Sequence, residues 1–193
     1  IEDKTVVTAV NLDGQPVWQA DNGPAGTGPY GGTRGTPTYD DGRVYHESPV
    51  GQVTCYEART GNPVWSVNIL NEFGAENIQW GLAESVLVDG PHVICCPGGE
   101  QASIVALDKA TGKTVWKARG TGDKAGYASP VIAEHEGLRI VLAMNAKALL
   151  GVNAGVSTRG VNKGEHWQLE FLCSLHQAQG LAVALGLAHA EVA

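Results

Sequence analysis

The chain is poor in charged residues and has no long apolar run. Only 17% of its 193 residues are charged, and 13 Lys and Arg against 20 Asp and Glu give a net charge of -7. Binding to nucleic acid needs clustered basic residues, which this balance does not favour. The longest weakly polar run, residues 180–190, is shorter than the roughly 18 apolar residues that a membrane-spanning helix needs. We therefore expect neither a nucleic-acid partner nor a membrane span.

The sequence also lacks the common patterns of metal and catalytic sites. Its four cysteines, at positions 55, 95, 96 and 173, show no C-x-x-C spacing and no histidine at a zinc-ligand distance. Serine-hydrolase, zinc-protease, phosphate-loop and EF-hand patterns are missing as well. From these patterns we nominate no catalytic residue and no metal ligand.

A repeat built on tryptophan and glycine organises most of the chain. Val-Trp pairs end at Trp18, Trp65 and Trp116, at intervals of 47 and 51 residues. A glycine precedes each tryptophan by four positions, and these glycines are Gly14, Gly61 and Gly112. A period of about 40 to 50 residues indicates stacked supersecondary units, none of which buries its apolar faces alone.

Each repeat contains the signals of four short strands. Apolar residues alternate around each tryptophan, which is the period of a strand, and an apolar run lies before each Thr-Gly turn. Further upstream, Asp41-Gly42 and Asp89-Gly90 each separate two apolar runs, a strong hairpin signal, and a longer turn at residues 134–137 occupies the same place in the next copy. Four strands in about 50 residues is typical of a propeller blade.

Residues 106–116 resemble the eleven-residue tryptophan-docking motif, A-x-D-x-x-T-G-x-x-x-W, of pyrroloquinoline quinone (PQQ) repeat β-propellers. Residues 55–65 match it with Cys for Ala and Glu for Asp, and residues 9–18 resemble a shortened copy. The resemblance implies an all-β fold, a PQQ-like β-propeller segment of about three four-stranded antiparallel blades in an open arc. It also implies that each tryptophan packs against the motif of the next blade. The structural docking residues are then Trp18, Trp65, Trp116, Gly61 and Gly112.

The resemblance divides the chain into residues 1–154, which form the blades of an incomplete ring, and a divergent tail at residues 155–193. The tail could form a helix, be poorly ordered, or come from a shifted reading frame. Because propellers have about 4 to 8 blades, three blades and part of a fourth do not close a ring. We therefore expect a fragment, or a ring whose remaining blades come from another chain.

Candidate binding residues lie in the loops that join the tryptophan strand of one blade to the first strand of the next, at residues 19–36, 68–84 and 117–129. A rigid scaffold commonly presents binding residues on such loops. Our ligand-binding candidates are Arg34, Trp80, Glu84 and Tyr127. The alternative is that these are solvated loop residues and that Trp80 fills a gap between blades.

Two functions are compatible with the resemblance. The first is a non-catalytic PQQ-like module for binding or protein-protein scaffolding, similar to the propeller lipoproteins of outer-membrane assembly. Its partner would be a protein or the remaining blades, its location periplasmic or otherwise extracytoplasmic, and no cofactor is expected.

The alternative is a fragment of a quinoprotein alcohol or sugar dehydrogenase that uses PQQ with calcium, so enzymatic activity stays open. Quinoprotein alcohol dehydrogenases carry a disulfide between adjacent cysteines against the quinone. Cys95 and Cys96 could form such a disulfide or could simply pack in a sheet.

Overall fold

The structure is a computed structural model that describes residues 3–26, 32–135 and 138–154. The predicted tail, residues 155–193, lies outside the described residues. Within the described ranges, 13 strands form four antiparallel sheets, and there is one short helix. No helix in these ranges is long and apolar enough to cross a membrane. The predicted all-β, open propeller segment is confirmed.

The four sheets follow one another along the chain, and each is a meander of consecutive strands. The first has two strands, β1 (Lys4–Val10) and β2 (Pro16–Pro24). The second has four strands and is followed by a helix: β3 (Thr38–Asp40), β4 (Arg43–Glu47), β5 (Gln52–Glu57), β6 (Pro63–Asn68) and α1 (Ile69–Glu72). The third also has four: β7 (Leu87–Asp89), β8 (His92–Cys95), β9 (Ile104–Asp108) and β10 (Thr114–Ala118). The fourth has three described strands: β11 (Val131–His135), β12 (Leu138–Met144) and β13 (Leu149–Asn153).

The complete four-stranded blades are therefore the second and third sheets, and a partial sheet flanks them on each side. Trp18 lies in the two-stranded sheet, on β2. The Asp-Gly hairpins also form. Asp40 pairs with Arg43 and Asp89 pairs with His92, so each turn contains two residues. Two-residue turns favour positive φ, and Gly42 has φ 76°.

Two apolar clusters join the sheets. One includes Tyr45, Val53, Val93 and Val105, from the second and third sheets. The other joins the third and fourth sheets, and its buried members are Ile94, Cys96, Ile104, Ala106, Ala118, Val141, Ala143, Ala148 and Leu150. Successive residues of the central strands in the third sheet thus belong alternately to the two clusters. That pattern is expected of a sheet buried on both faces.

The tryptophan side chains cross from one sheet to the next. The Trp18 indole N–H donates to the Ala58 carbonyl at 3.0 Å, and the Trp65 indole N–H donates to the Lys109 carbonyl at 3.0 Å. Each ring lies directly on a turn glycine of the following sheet. A Cβ atom at Gly61 would lie 2.6 Å from the Trp18 ring, and one at Gly112 would lie 2.7 Å from the Trp65 ring. Trp116 packs against the cluster of the third and fourth sheets.

The assignment of these tryptophans and glycines as docking residues stays a prediction, and the three turn glycines allow a controlled test. Gly14, Gly61 and Gly112 have φ of 78°, 73° and 72°, so alanine causes similar backbone strain at each. No atom lies within 4 Å of a Cβ placed at Gly14, whereas the other two positions are filled by an indole.

We therefore expect Gly61→Ala and Gly112→Ala to destabilise the protein by about 1 to 3 kcal/mol more than Gly14→Ala, because each forces overpacking. Urea denaturation of the three variants measures the difference. Equal losses in the free energy of unfolding would show that the indole contacts contribute little to holding the sheets together.

Candidate functional site

Three of the four candidate residues lie together at one end of the sheets. The Arg34 guanidinium, in the loop before β3, donates a hydrogen bond to the backbone carbonyl of Trp80. The rings of Trp80 and Tyr127 lie 5.9 Å apart between centroids, at an angle of 37°. Trp80 is 46% exposed and Tyr127 is 47% exposed. We call these three residues the aromatic strip; it connects the loops that precede the second, third and fourth sheets.

An open cleft of about 700 Å³ adjoins the aromatic strip, and Tyr127 forms part of its wall. Its other lining residues are Ile78, Gln79, Lys124, Ala125, Gly126, Ala128, Met144, Asn145 and Ala146. The volume falls within the usual range of about 300 to 1,000 Å³ for ligand pockets. The Lys124 ammonium lies 3.0 Å from the Glu76 carboxylate, which offsets part of its charge. The cleft therefore suits an apolar or aromatic group with a polar edge.

Glu84, the fourth candidate, is only 4% exposed and does not belong to this surface. Its carboxylate accepts a hydrogen bond from the backbone N–H of Cys96 at 2.6 Å. Carboxylate oxygens of Glu47 and Glu84 and the sulfur of Cys95 all lie within 4.8 Å of one another. These three residues form the buried acidic cluster. Glu47, at the end of β4, is 3% exposed, and neither of its carboxylate oxygens has a hydrogen-bond partner among the described residues.

Burial controls the protonation of this cluster. It raises the pKa of the Glu47 carboxyl well above its ordinary value, and the charge of Glu84 raises it further. Burial also raises the pKa of Glu84, although the neighbouring Glu47 carboxyl and, to a lesser degree, the N–H of Cys96 oppose the shift. The pKa values of the Cys95 and Cys96 thiols lie well above the usual range, because both thiols are buried near carboxylates. A protonated thiol is a poor nucleophile, so neither cysteine is poised for covalent catalysis.

The two adjacent cysteines are free thiols in this structure. Cys95 belongs to the cluster between the second and third sheets, and Cys96 belongs to the one between the third and fourth. The alternation of side chains along a strand places them on opposite faces. From the sequence, Cys95 and Cys96 could form a disulfide or simply pack in a sheet, and in this structure they pack in the sheet.

The sequence analysis missed Glu47 and His46, since nothing in their spacing marks them. Glu47 lies 37 residues before Glu84, and only the packing of two sheets brings them together. The available signal was weak: a charged residue ends a strand in which Val44 and Tyr45 are the apolar residues.

His46 is fully buried between the first and second sheets. Its Nδ1 lies 2.7 Å from the Asn22 amide nitrogen, and its Nε2 lies 3.2 Å from the Thr33 hydroxyl. Because an amide nitrogen only donates, Nδ1 accepts and Nε2 carries the proton. Burial lowers the pKa of His46 to about 4, so the ring is neutral near pH 7.

This environment predicts a specific pH dependence. The folded pKa lies below the ordinary value, so the stability contributed by the neutral ring is fully present above about pH 6.5 and is lost as the pH falls toward 4. Over that window the wild type should lose more free energy of unfolding than His46→Gln. An NMR titration of the imidazole should give a midpoint of about 4. A midpoint near the ordinary histidine value would contradict this account of the network.

The chain matches a family model of PQQ-repeat proteins, described as outer membrane protein assembly factor BamB, over residues 3–160. No curated protein sequence matches it. Similar solved structures include BamB from Moraxella catarrhalis, with 19% sequence identity and a TM-score of 0.49 over 77% of this chain. Another is the quinohemoprotein alcohol dehydrogenase from Comamonas testosteroni, with 24% identity and a TM-score of 0.48 over 64% of this chain.

The chain spans 39% of the length of the first of these proteins and 20% of the second. The family match includes every described sheet. The match confirms the resemblance drawn from the tryptophan motifs. This chain belongs to the PQQ-like β-propeller family whose model is described as outer membrane protein assembly factor BamB.

Proposed function

We propose that this chain is a non-catalytic binding module, and that the cleft beside the aromatic strip holds a segment of a protein partner. The observation that carries the proposal is the contact between two half-exposed rings, Trp80 and Tyr127, of which Tyr127 lines an open cleft of about 700 Å³. Both rings come from loops fixed on packed sheets. A rigid scaffold of this kind supports binding because its loops lose little conformational entropy when a ligand binds.

The composition of the strip favours a protein over a small polar ligand. Tyr, Trp and Arg are the residue types most enriched at the centres of protein interfaces, and all three are present here. Each aromatic ring offers a large apolar area together with one polar atom. Arg34 places a guanidinium beside them, bound to the Trp80 backbone. An extended peptide with an apolar or aromatic side chain at its centre would match this surface.

Membership of the family supports the proposal that the partner is a protein, and it also suggests where in the cell the two meet. Its model carries the description of an outer membrane protein assembly factor, a role performed through contacts between proteins. On that basis we propose a periplasmic or otherwise extracytoplasmic location for this chain.

The alternative, a quinoprotein dehydrogenase with PQQ and calcium, has less support from the arrangement of side chains. PQQ is a flat, anionic quinone and calcium needs several oxygen ligands. The buried acidic cluster contains two carboxylates, Glu47 and Glu84. They are 3% and 4% exposed, and neither lines the open cleft. The adjacent cysteines face two different cores. The described residues therefore do not fit this cofactor, and we derive no catalytic step.

A selection for bound peptides tests the binding function. A library of random twelve-residue peptides, displayed on phage and selected on the full chain, should give peptides rich in apolar and aromatic residues. Trp80→Ala and Tyr127→Ala should each weaken binding of the selected peptides about tenfold or more, a loss of about 1.4 kcal/mol. Fluorescence anisotropy of labelled peptides measures the affinities.

Tyr39→Ala provides the matched control. Tyr39 is also an exposed aromatic residue, at 68%, but it lies on β3 and outside the cleft, so its removal should change the affinity less than twofold. Equal binding by wild type and the Trp80→Ala, Tyr127→Ala double variant would contradict the proposed site. A stoichiometric complex with added PQQ and calcium would replace the binding function with the dehydrogenase alternative.

A further inference from the structure

We propose that Glu47, Glu84 and Cys95 bind one divalent transition-metal ion of the zinc class, and that the ion links the second and third sheets. This inference is independent of the peptide-binding function, because the cluster is buried and does not line the cleft. Glu47 ends β4 of the second sheet, whereas Cys95 ends β8 of the third and Glu84 precedes β7. A shared ion would therefore tie two neighbouring sheets together.

The three side chains already offer one ligand atom each in a compact arrangement. All three atoms lie within 4.8 Å of one another. Zinc bonds are about 2.0 to 2.3 Å long, so ligand atoms on one tetrahedral zinc lie about 3.5 Å apart. The present separations, at most 4.8 Å, therefore exceed that distance by no more than about 1.3 Å.

The unpartnered carboxylate of Glu47 is the second, independent observation. Both of its oxygens are buried without a hydrogen-bond partner among the described residues, although the residue is only 3% exposed. Buried polar atoms almost always have partners, and a buried carboxylate has the strongest need of one. Ligand atoms of Glu84 and Cys95 lie within 4.8 Å of a Glu47 oxygen, in a geometry that makes no hydrogen bond to it. A cation at their centre satisfies the unpaired oxygens.

The ligand types specify the class of metal. Calcium and magnesium take oxygen ligands, so a sulfur ligand disfavours both. Zinc accepts cysteine sulfur together with glutamate oxygen, and cobalt(II) occupies the same kind of site. Three protein ligands leave a fourth position for water.

The protein around the cluster also restrains its ligands. The Cys96 N–H holds one oxygen of Glu84 at 2.6 Å, which orients the carboxylate. Gly35 packs on the Glu84 backbone so closely that a Cβ atom there would lie 2.3 Å from the Glu84 carbonyl oxygen. Such supporting contacts commonly tune metal affinity, because they fix the direction of the ligand atom.

Metal titration of the full chain, after removal of bound metal with a chelator, tests the proposal. We expect one equivalent of Zn²⁺ to bind by calorimetry and to raise the melting temperature, since an ion that binds only the folded state stabilises it. Cobalt(II) should replace zinc and give a thiolate-to-metal charge-transfer band in the near ultraviolet. Calcium at the same concentration should produce neither effect.

Variants then assign the ligands. Cys95→Ser should abolish the cobalt band, and Glu47→Gln, which keeps the size of the side chain, should weaken zinc binding about tenfold or more. Cys55→Ser is the matched control, because Cys55 is equally buried and lies outside the cluster. Cys173→Ser provides a second control. Both control variants should keep the cobalt band and the zinc affinity of the wild type.

Several outcomes would overturn the proposal, and the wild-type titration decides even where a variant fails to fold. Absence of stoichiometric zinc binding by the wild type would do so, and so would a cobalt band that survives Cys95→Ser. Equal stabilisation by calcium would indicate an oxygen site instead. If zinc has no effect on the wild type and Glu47→Gln melts at a higher temperature than the wild type, the two carboxylates share a proton and hold no metal.

Discussion

The contact on which this architecture depends is an indole ring lying on a glycine turn of the next sheet. None of the four sheets buries its apolar faces alone, so each is stable only against its neighbours. Trp18 and Trp65 each cross from one sheet to the next. Each ring occupies the space that a Cβ atom on a turn glycine of the next sheet would need. Each indole N–H also satisfies a backbone carbonyl of the turn. One side chain thus supplies both apolar contact and a directional bond at the seam.

The inner edge of the sheets carries a second, polar connection. The backbone N–H of Thr36 donates to the Ser85 hydroxyl at 2.9 Å, and the N–H of Ser85 donates to the Ser129 hydroxyl at 2.8 Å. These residues occupy the same place in successive repeats, two positions before the first strand of each sheet. The bonds hold the connecting loops in a fixed order. Arg34, Trp80 and Tyr127 lie two to five residues before them, so the same bonds align the aromatic strip.

Most of the fold could be predicted because its signals are local. A positive-φ glycine, an Asp-Gly turn and an alternating apolar run each act over a few residues, and Gly61 and Gly42 both adopt positive φ. Helix α1 was missed because its four residues are too few to show the apolar period of a helix, although the Asn68 side chain caps it by accepting from the Asn71 N–H. Less of the site could be predicted from the sequence. Loop position singled out the residues of the aromatic strip, but the burial of Glu84 and its proximity to Glu47 depend on contacts between sheets.

The loop between α1 and β7 connects the surface to the interior. The Leu82 N–H and the Asn77 amide both donate to the Pro49 carbonyl, at 3.0 and 2.8 Å. Gly81, with φ 77°, packs on Pro49 so tightly that a Cβ atom would lie 2.8 Å from its ring. These contacts hold the loop between Trp80, which packs on Tyr127, and Glu84, in the buried acidic cluster. Because both residues belong to one rigid loop, the position of the exposed indole depends on the packing that buries the carboxylate.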